Sequence, residues 1–453
     1  MMIAQPVELL PAREGEHVIA VSATLAINER MQDRHAADVG TGDLRLGFGE
    51  AGLPVLPEVA DLLARASRAN GYGPVAGSLA ARRSAAGWFT RRDLPTDPEQ
   101  IVLGPGSKAL LYALVAALPG AVVLPTPSWV SYAAQATLAG KRVLRVPVPD
   151  ACGGLPDPDL LDDALRHASL HSSGVDAPHP LGSGGDQGRD GEPGILVLTV
   201  PDNPTGTVAD AAMVERVCAV AARHGLVVVS DEIYRDLAYE PQAVVSPARF
   251  VPERCFVTTG LSKSLALGGW RIGCARFPAS DLGERIRARV LGLASEVWSS
   301  IARPMLDVVA HVMDEPPGVT AYVVAGRRLH QRVSEAVHQE LIAAGARARA
   351  PGAAFYLYPD LAGRREVLAR RGVTTGAELA RHLLEEHGVG VLPGEAFGDD
   401  PAALRFRVAT ALLYGRTDGE RWAALHAPDP LVLPWIAGAI TSLRAALAAT
   451  AGA

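Results

Sequence analysis

Seven short runs of aliphatic and β-branched residues between positions 101 and 277 constrain the fold of this chain most strongly. Several of these runs are continuously apolar and do not alternate with polar residues, which is typical of strands that are covered on both faces. The runs are IVL (101–103), AVVL (121–124), RVLRVPV (142–148), ILVLTV (195–200), LVVVS (226–230), CFVTT (255–259) and RIGCARF (271–277).

Helical patterns lie between many of these runs, and the clearest cover residues 107–118 and 209–224. The first closes with Pro-Gly and the second with Gly225, which are common signals for the end of a helix. Strands that alternate with helices are typical of a parallel sheet. The sequence therefore predicts an α/β fold whose large domain is built on one seven-stranded, mostly parallel sheet.

The pattern changes after about residue 300, where helices predominate and only three segments resemble strands. Those segments are GAAFYLYPD (352–360), the stretch 388–394 and LRFRVAT (404–410). We expect a smaller α+β unit there. The predicted division is an N-terminal arm with part of the small domain in 1–60, the large domain in 61–300 and the small C-terminal domain in 301–453.

The segment 169–194 is rich in Gly, Ser, Pro and Asp and offers little to bury, so we expect a flexible surface insertion. Its two histidines, His171 and His179, are expected to be solvated and not to bind metal. The four cysteines form no C-x-x-C pair and no zinc-like spacing, so core packing is their expected role. No metal site is predicted.

Charge and hydropathy exclude several classes of function. The chain has 43 Lys and Arg against 49 Asp and Glu, hence a net charge of −6, and no long basic stretch, which argues against nucleic-acid binding. The N-terminus lacks a signal-peptide pattern. The most apolar stretch, 111–125, is interrupted by Pro119-Gly120 and is shorter than the roughly 20 residues that a membrane helix needs. We expect a cytoplasmic protein that binds small molecules.

Polar groups follow four of the predicted strands. They are GPGSK (104–108), PDNPTG (201–206), DEIY (231–234) and GLSK (260–263). Ligands of open α/β sheets bind beyond the carboxyl ends of the strands. These groups should therefore meet in one crevice, although they are far apart in the sequence.

Taken together, these motifs resemble those of the class I/II aminotransferases, which depend on pyridoxal 5′-phosphate (PLP) and have the type I fold of aspartate aminotransferase. The matching segments are GYGPVAG (71–77), GPGSKAL (104–110), PDNPTG (201–206), SDEIY (230–234), GLSKSLALGGWRIG (260–273) and LRFRVAT (404–410). The resemblance implies a PLP cofactor, a homodimer, and transfer of an amino group from an L-amino acid to a 2-oxo acid by a ping-pong mechanism.

The resemblance assigns the catalytic roles to Lys263, Asp231 and Tyr234. Lys263 would form the Schiff base with PLP and later move protons at the substrate Cα. Asp231 would pair with the pyridine nitrogen and keep the ring protonated. Tyr234 and Asn203 would hydrogen-bond the 3′-oxygen of the ring.

The phosphate of the cofactor requires cations and N–H donors. Gly106 and Ser107 precede an apolar helix, whose free N–H groups make an anion site at its N-terminus, and Lys108 follows them. The resemblance adds Arg271 as a charge-assisted partner of the phosphate. It also implies that Tyr72 reaches the phosphate in the neighbouring subunit.

The resemblance also implies how substrate is held. Trp129 would stack on the cofactor ring. Both Trp129 and Asn203 would also contact the substrate. Arg405 would grip the α-carboxylate, and Gly49 would approach it through its backbone. Arg407 shares a strand face with Arg405, because side chains alternate along a strand. We expect Arg407 to be a structural ion-pair partner, the alternative being a role in binding an acidic side chain.

One position departs from the family pattern, because Gly260 stands where many members carry a hydroxyl residue that contacts the phosphate. Ser262 or Thr259 could replace that hydroxyl, or Arg271 and the backbone donors could suffice.

Two other functions stay open at the level of sequence. The first is a PLP-dependent lyase, synthase or oxidase that uses the same lysine. The second is a PLP-binding regulatory module, which is disfavoured because only about 40 residues precede LGFGE, too few for a DNA-binding domain. No arginine near 296–298 suits a second substrate carboxylate, which favours aromatic or aliphatic substrates.

Overall fold

The structure is a computed structural model that describes residues 21–36, 42–170 and 194–452. The predicted insertion at 169–194 lies almost wholly outside the described residues, and so do His171 and His179 within it. Most of the predicted N-terminal arm lies outside them as well.

The described residues form twelve strands. They are β1 (Leu44–Arg45), β2 (Ile101–Pro105), β3 (Val122–Thr126), β4 (Val143–Pro147), β5 (Ile195–Thr199), β6 (Val227–Asp231), β7 (Cys255–Gly260), β8 (Ile272–Arg276), β9 (Tyr356–Leu357), β10 (Val389–Gly390), β11 (Leu392–Pro393) and β12 (Phe406–Ala409).

They also form fifteen α-helices. These are α1 (Ala23–Ala36), α2 (Pro57–Ala66), α3 (Leu79–Thr90), α4 (Ser107–Ala117), α5 (Val130–Leu138), α6 (Pro158–Leu170), α7 (Ala211–Arg223), α8 (Leu261–Ser264), α9 (Asp281–Val297), α10 (Arg303–Val312), α11 (Pro317–Ala343), α12 (Arg365–Ala369), α13 (Gly376–His387), α14 (Asp418–His426) and α15 (Pro434–Ala451).

The large sheet has seven strands in the order β2-β8-β7-β6-β5-β3-β4. Strand β8 is antiparallel to both of its neighbours, and the pairs among β7, β6, β5, β3 and β4 are parallel. Each of the seven apolar runs in the sequence overlaps one of these strands. The predicted α/β fold with a seven-stranded, mostly parallel sheet is therefore confirmed.

Both faces of this sheet are buried, which explains the continuous apolar runs. Along β5, Leu196 and Leu198 belong to one hydrophobic cluster, which also contains residues of α6 and α7. Ile195 and Val197 point to the opposite face and pack in a second cluster with residues of α4 and α9. A strand between two helical layers has no solvent-facing side, so alternation with polar residues is lost.

The C-terminal part of the chain contributes two small sheets. Strands β11, β12 and β9 form a three-stranded antiparallel sheet, and β1 pairs in parallel with β10. The three strand-like segments seen in the sequence contain β9, β10, β11 and β12, which are shorter than the segments, whereas β1 lies outside them. The pairing of β1 with β10 ties residues 44–45 to the C-terminal unit. The predicted domain boundaries themselves stay a prediction.

Other expectations concern single residues and segments. All four cysteines are buried free thiols, which agrees with the predicted role in core packing. Within the described ranges, no helix is long and apolar enough to cross a membrane. The same ranges contain no cluster of three or more His, Cys, Asp or Glu side chains suited to a metal ion.

The two-sided burial of β5 makes a direct prediction for neighbouring residues. We expect Ile195→Ala and Leu196→Ala each to lower the free energy of unfolding by about 2–5 kcal/mol, because each leaves a cavity on a different face of the sheet. Urea denaturation measures both. Leu160→Ala, at a side chain that is 43% exposed on α6, is the control and should change stability by less than about 0.5 kcal/mol. Destabilisation by only one of the two β5 variants would contradict a sheet that is covered on both faces.

Candidate active site

The amine of Lys263 lies at the end of the sheet. Strand β7 ends at Gly260, and the four-residue helix α8 that follows carries Lys263. The Lys263 ammonium donates a hydrogen bond to the backbone oxygen of Gly49, which comes from the segment after β1. The site thus joins the large sheet to the N-terminal segment.

Asp231 is a buried carboxylate at the end of β6, with 3% of its surface exposed. The hydroxyl of Tyr132 donates to its Oδ2 at 3.1 Å, and that of Thr258 donates to its Oδ1 at 3.3 Å. Burial raises the pKa of Asp231 to about 6. Among the described residues, no lysine or arginine pairs with it. The carboxylate is therefore suited to a cationic group of a ligand.

The N-terminus of α4 carries a cluster of positive charge. Gly106 precedes the helix with a φ of +87°, and a Cβ there would lie 2.2 Å from Nη2 of Arg271, so only glycine lets the guanidinium approach. The ammonium of Lys108 lies 5.1 Å from the ring centroid of Trp129. Burial first, and then the charges of Arg271 and Lys263, lower the pKa of Lys108. Two cations beside the free N–H groups of Ser107 and its neighbours form an anion site.

The turn at PDNPTG positions Asn203. The carboxylate of Asp202 accepts hydrogen bonds from the backbone N–H and the hydroxyl of Thr205, at 3.1 and 2.5 Å. Gly206 has a φ of +70°, and a Cβ there would lie 2.1 Å from the backbone oxygen of Tyr356. The turn can therefore pack directly against β9, which brings Asn203 next to the side chains of that strand.

A hydrogen-bonded cluster surrounds Asn203. Its Nδ2 donates to the hydroxyl of Tyr234 at 3.2 Å, and the hydroxyls of Tyr234 and Tyr356 lie 3.1 Å apart. Nη1 of Arg407 donates to Asn203 Oδ1 at 3.1 Å, and Nη2 donates to the backbone oxygen of Gly47 at 2.9 Å. All four side chains of this cluster are buried.

Arg407 is an unusual buried cation. Only 1% of its surface is exposed, and its guanidinium lies 4.7 Å from the ring of Tyr356 and 5.0 Å from that of Phe397. Its Nε has no hydrogen-bond partner, and no carboxylate pairs with it in the part of the chain that the structure describes. Burial lowers its pKa below the ordinary value. A buried, uncompensated guanidinium is a ready partner for a carboxylate.

The two arginines in LRFRVAT have different surroundings, and the ion pair expected for Arg407 was wrong within the described residues. Arg405 pairs with Asp360 at 3.1 Å and with Asp399 at 3.2 Å, and its expected role in holding substrate stays a prediction. Arg407, expected to make a structural ion pair, lies in the cluster. Both side chains share a strand face, so alternation alone did not decide which one enters the site. The register of β12, in which Arg407 opposes Leu392 of β11, decides it.

The remaining predicted residues divide into two groups. Trp129 precedes α5, is half-buried, and meets Tyr132 edge-on with ring centroids 5.2 Å apart. It thereby contacts Tyr132, which binds Asp231, and the ammonium of Lys108. Tyr72 is 95% exposed and takes no part in these contacts. Gly49, Lys263, Asn203 and Tyr234 form a separate set of contacts with Tyr356 and Arg407, and Gly106 packs against Arg271. The roles predicted for these residues stay predictions.

Comparison with known proteins gives the family. A family model described as "Aminotransferase class I and II" matches residues 37–412. The aspartate aminotransferase of Geobacillus stearothermophilus is 29% identical over 428 residues, which cover 88% of this chain and 95% of that protein. This chain belongs to the class I and II aminotransferase family. It is an aminotransferase of the aspartate-aminotransferase-like group.

Two further relatives of this aminotransferase support the assignment. The aspartate/prephenate aminotransferase of Cereibacter sphaeroides is 30% identical over 403 residues, covering 86% of this chain and 92% of that protein. The solved structure of the Thermus thermophilus aspartate aminotransferase with maleate has 28% identity and a TM-score of 0.73, and the match covers 90% of this chain and 95% of that one. Members of the family generally use PLP.

Sequence reasoning missed three side chains of the aminotransferase site besides Arg407. Tyr132 and Thr258 bind Asp231, and Tyr356 contacts Tyr234. A weak signal existed for the tyrosines, because one follows Trp129 by three residues and the other lies in a predicted strand of the small unit. Thr258 precedes the GLSK group on β7, and nothing in the sequence linked it to Asp231.

The raised pKa of Asp231 predicts a pH dependence in the cofactor-free enzyme. Between the ordinary pKa of 3.8 and about 6, the folded state binds more protons at this group than the unfolded state, so its contribution to stability falls as the pH rises. Asp231→Asn removes this effect. We expect the unfolding free energy of the wild type, relative to Asp231→Asn, to fall by about 1 kcal/mol or more between pH 5 and pH 7.5.

Urea denaturation of both proteins at the two pH values measures this difference. Asp210→Asn, at the exposed N-cap of α7, is the matched control. A difference between wild type and Asp231→Asn that is constant over this pH range would contradict the perturbed carboxyl.

Proposed function

We propose that this aminotransferase binds PLP at the carboxyl edge of the large sheet and transfers the amino group of an acidic L-amino acid to a 2-oxo acid. One observation carries the proposal. A lysine amine, a buried carboxylate with no cationic partner in the described ranges and a cationic helix N-terminus lie at one sheet edge, although they follow β7, β6 and β2. A phosphorylated aldehyde with a basic ring nitrogen needs these three groups together.

The residues present fit the cofactor. Lys108, Arg271 and the backbone N–H groups at Gly106 and Ser107 would hold its phosphate, and the close approach of Arg271 to Gly106 already requires glycine there. No hydroxyl at Gly260 is needed for this, because the cations and backbone donors suffice. Asp231, whose pKa is raised by burial, would be stabilised in its ionised form by a protonated ring nitrogen.

Each side chain around the cofactor then has a defined task. When bound, PLP supplies an aldehyde that links to amines and a ring that withdraws electrons from the substrate Cα. Lys263 would hold PLP through its amine and, once released from it, move the proton at Cα. Tyr234 and Asn203 would hydrogen-bond the ring oxygen, and Trp129 would cover the ring face and limit its tilt.

Arg407 is proposed to bind the α-carboxylate of the substrate. It is buried, lacks a carboxylate partner within the described residues and retains an N–H group without a hydrogen-bond partner. Arg405, in contrast, already forms ion pairs with two carboxylates. Gly49 lies near Arg407, because both contact the side chain of Tyr356. Fixing the carboxylate here orients Cα towards the amine of Lys263, which bonds the Gly49 oxygen.

The proposal of an acidic substrate rests on the relatives, which are named as aspartate and aspartate/prephenate aminotransferases. It replaces the sequence-based preference for aromatic or aliphatic substrates.

We also propose a homodimer in which Tyr72 completes the phosphate site of the second subunit. Tyr72 is 95% exposed and does not pack on its own chain's site, which is unusual for a large aromatic side chain. A cytoplasmic location stays a prediction.

The role of Lys263 has a direct test. We expect the wild type to gain a visible absorbance band on addition of PLP and to lose it on addition of aspartate, because the amino group passes to the cofactor. Lys263→Ala should reduce amino transfer from aspartate to 2-oxoglutarate at least about 1,000-fold, since both the covalent link and the proton carrier are lost. Lys141→Arg is the control and should keep both properties. Retention of amino transfer by Lys263→Ala would contradict the proposal.

The different surroundings of the two arginines predict unequal effects of their substitution. Arg407→Gln should lower kcat/KM for the amino donor by about 100- to 10,000-fold, because it removes a buried charge from the carboxylate, whereas Arg405→Gln should cost less than about tenfold. Steady-state kinetics measure this. Binding of 2-oxoglutarate should raise the Tm of the wild type and of Arg405→Gln but not that of Arg407→Gln. Equal effects of the two substitutions would argue against Arg407 as the carboxylate partner.

A further inference from the structure

The hydrogen bonds around Asn203 have a fixed direction. A guanidinium can only donate, so the Asn203 atom that faces Arg407 must be the oxygen, and the amide NH₂ must face the other way. That NH₂ points to Tyr234, where it donates to the phenol oxygen at 3.2 Å. Arg407 thus determines that Tyr234 receives one hydrogen bond from Asn203.

Tyr234 is left with one proton to donate and one position at which its oxygen can accept. Within the described residues, the second side-chain partner of the Tyr234 hydroxyl is the hydroxyl of Tyr356, 3.1 Å away. Two arrangements are possible: Tyr234 donates to Tyr356, or Tyr356 donates to Tyr234. Only the second leaves the Tyr234 proton free for another acceptor.

Tyr356 is held firmly in this position. It is 1% exposed, and its ring meets that of Tyr234 nearly at right angles, with centroids 5.4 Å apart. The other side of the ring contacts the Arg407 guanidinium. Its hydroxyl lies so close to Gly49 that a Cβ there would be 2.4 Å from it. The phenol therefore has little freedom to turn away from Tyr234.

We propose that Tyr356 is a positioning residue that donates its hydroxyl proton to Tyr234 and so directs the Tyr234 proton to the ring oxygen of the cofactor. This inference rests on the proposed PLP site. Its consequence is a chain of donors from Arg407 through Asn203 to Tyr234, joined by a second donor from Tyr356. With two hydrogen bonds donated to its oxygen, Tyr234 becomes a stronger donor itself.

The inference predicts a spectroscopic effect. A hydrogen bond to the ring oxygen stabilises its negative charge, which is largest when the nitrogen that links Lys263 to the cofactor has lost its proton. Weakening that bond should therefore favour the protonated form and raise the apparent pKa of the visible chromophore. One hydrogen bond corresponds to a shift of roughly 0.3 to 1 pH unit.

The experiment titrates the visible absorbance of the PLP-loaded protein in four variants. Tyr356→Phe keeps the ring against Arg407 and removes only the hydroxyl, Tyr234→Phe removes the proposed donor, and the double variant removes both. Tyr358→Phe is the matched control, because Tyr358 lies two residues on along the chain, just past β9, and its hydroxyl donates to Asp399 at 2.7 Å.

We expect the chromophore pKa to rise in Tyr356→Phe, to rise further in Tyr234→Phe, and to show no additional rise in the double variant. Tyr358→Phe should match the wild type. An unchanged pKa in Tyr356→Phe beside a raised one in Tyr234→Phe would overturn the inference. A double variant whose shift equals the sum of the two single shifts would also overturn it, since Tyr356 would then act independently of Tyr234. A wild type that forms no chromophore with PLP would instead overturn the proposed function, and this inference with it.

Discussion

The parallel pairing of β5, β6 and β7 is the constraint on which the site depends. Its register places Thr199 and Thr258 opposite Asp231, so that the carboxyl ends of three strands share one edge of the sheet. Parallel strands all point their carboxyl ends the same way, and the groups that follow them must converge. The antiparallel β8 begins at the same edge, which explains why Arg271 precedes its strand whereas Lys263 follows one.

The charges at this edge are arranged for a ligand and not for the folded protein alone. Asp231 is a buried carboxylate without a cation, and Arg407 is a buried cation without a carboxylate, within the described residues. Each lies near hydrogen-bonding partners that hold its position but do not neutralise it. Such groups destabilise the fold in the absence of ligand, and a protonated ring nitrogen and a substrate carboxylate would each compensate one of them. Binding sites commonly lower the stability of the ligand-free fold in this way, because the groups that bind the ligand are not compensated by the protein itself.

The sequence was most informative where a single physical rule decides the outcome. Short runs of aliphatic and β-branched residues predicted all seven strands of the large sheet, and several runs are continuously apolar because those strands are buried on both faces. The roles of Arg405 and Arg407 were not decided in this way, since both side chains share a face and only strand register separates them. Tyr356 was missed for a related reason: its partner Tyr234 is 122 residues away, and contact between them depends on how the small antiparallel sheet packs on the PDNPTG turn.

The central claim is that one particular amine holds the cofactor, and the chain allows an unusually clean test of it. Its sequence contains only three lysines, Lys108, Lys141 and Lys263. Reduction of the PLP-loaded protein with borohydride fixes the cofactor to the amine that carries it, and mass spectrometry of the digested protein locates the label. The account predicts a pyridoxyl group on Lys263 and an unlabelled Lys108 and Lys141. A label on Lys108 or Lys141 in place of Lys263, or on no lysine at all, would contradict it.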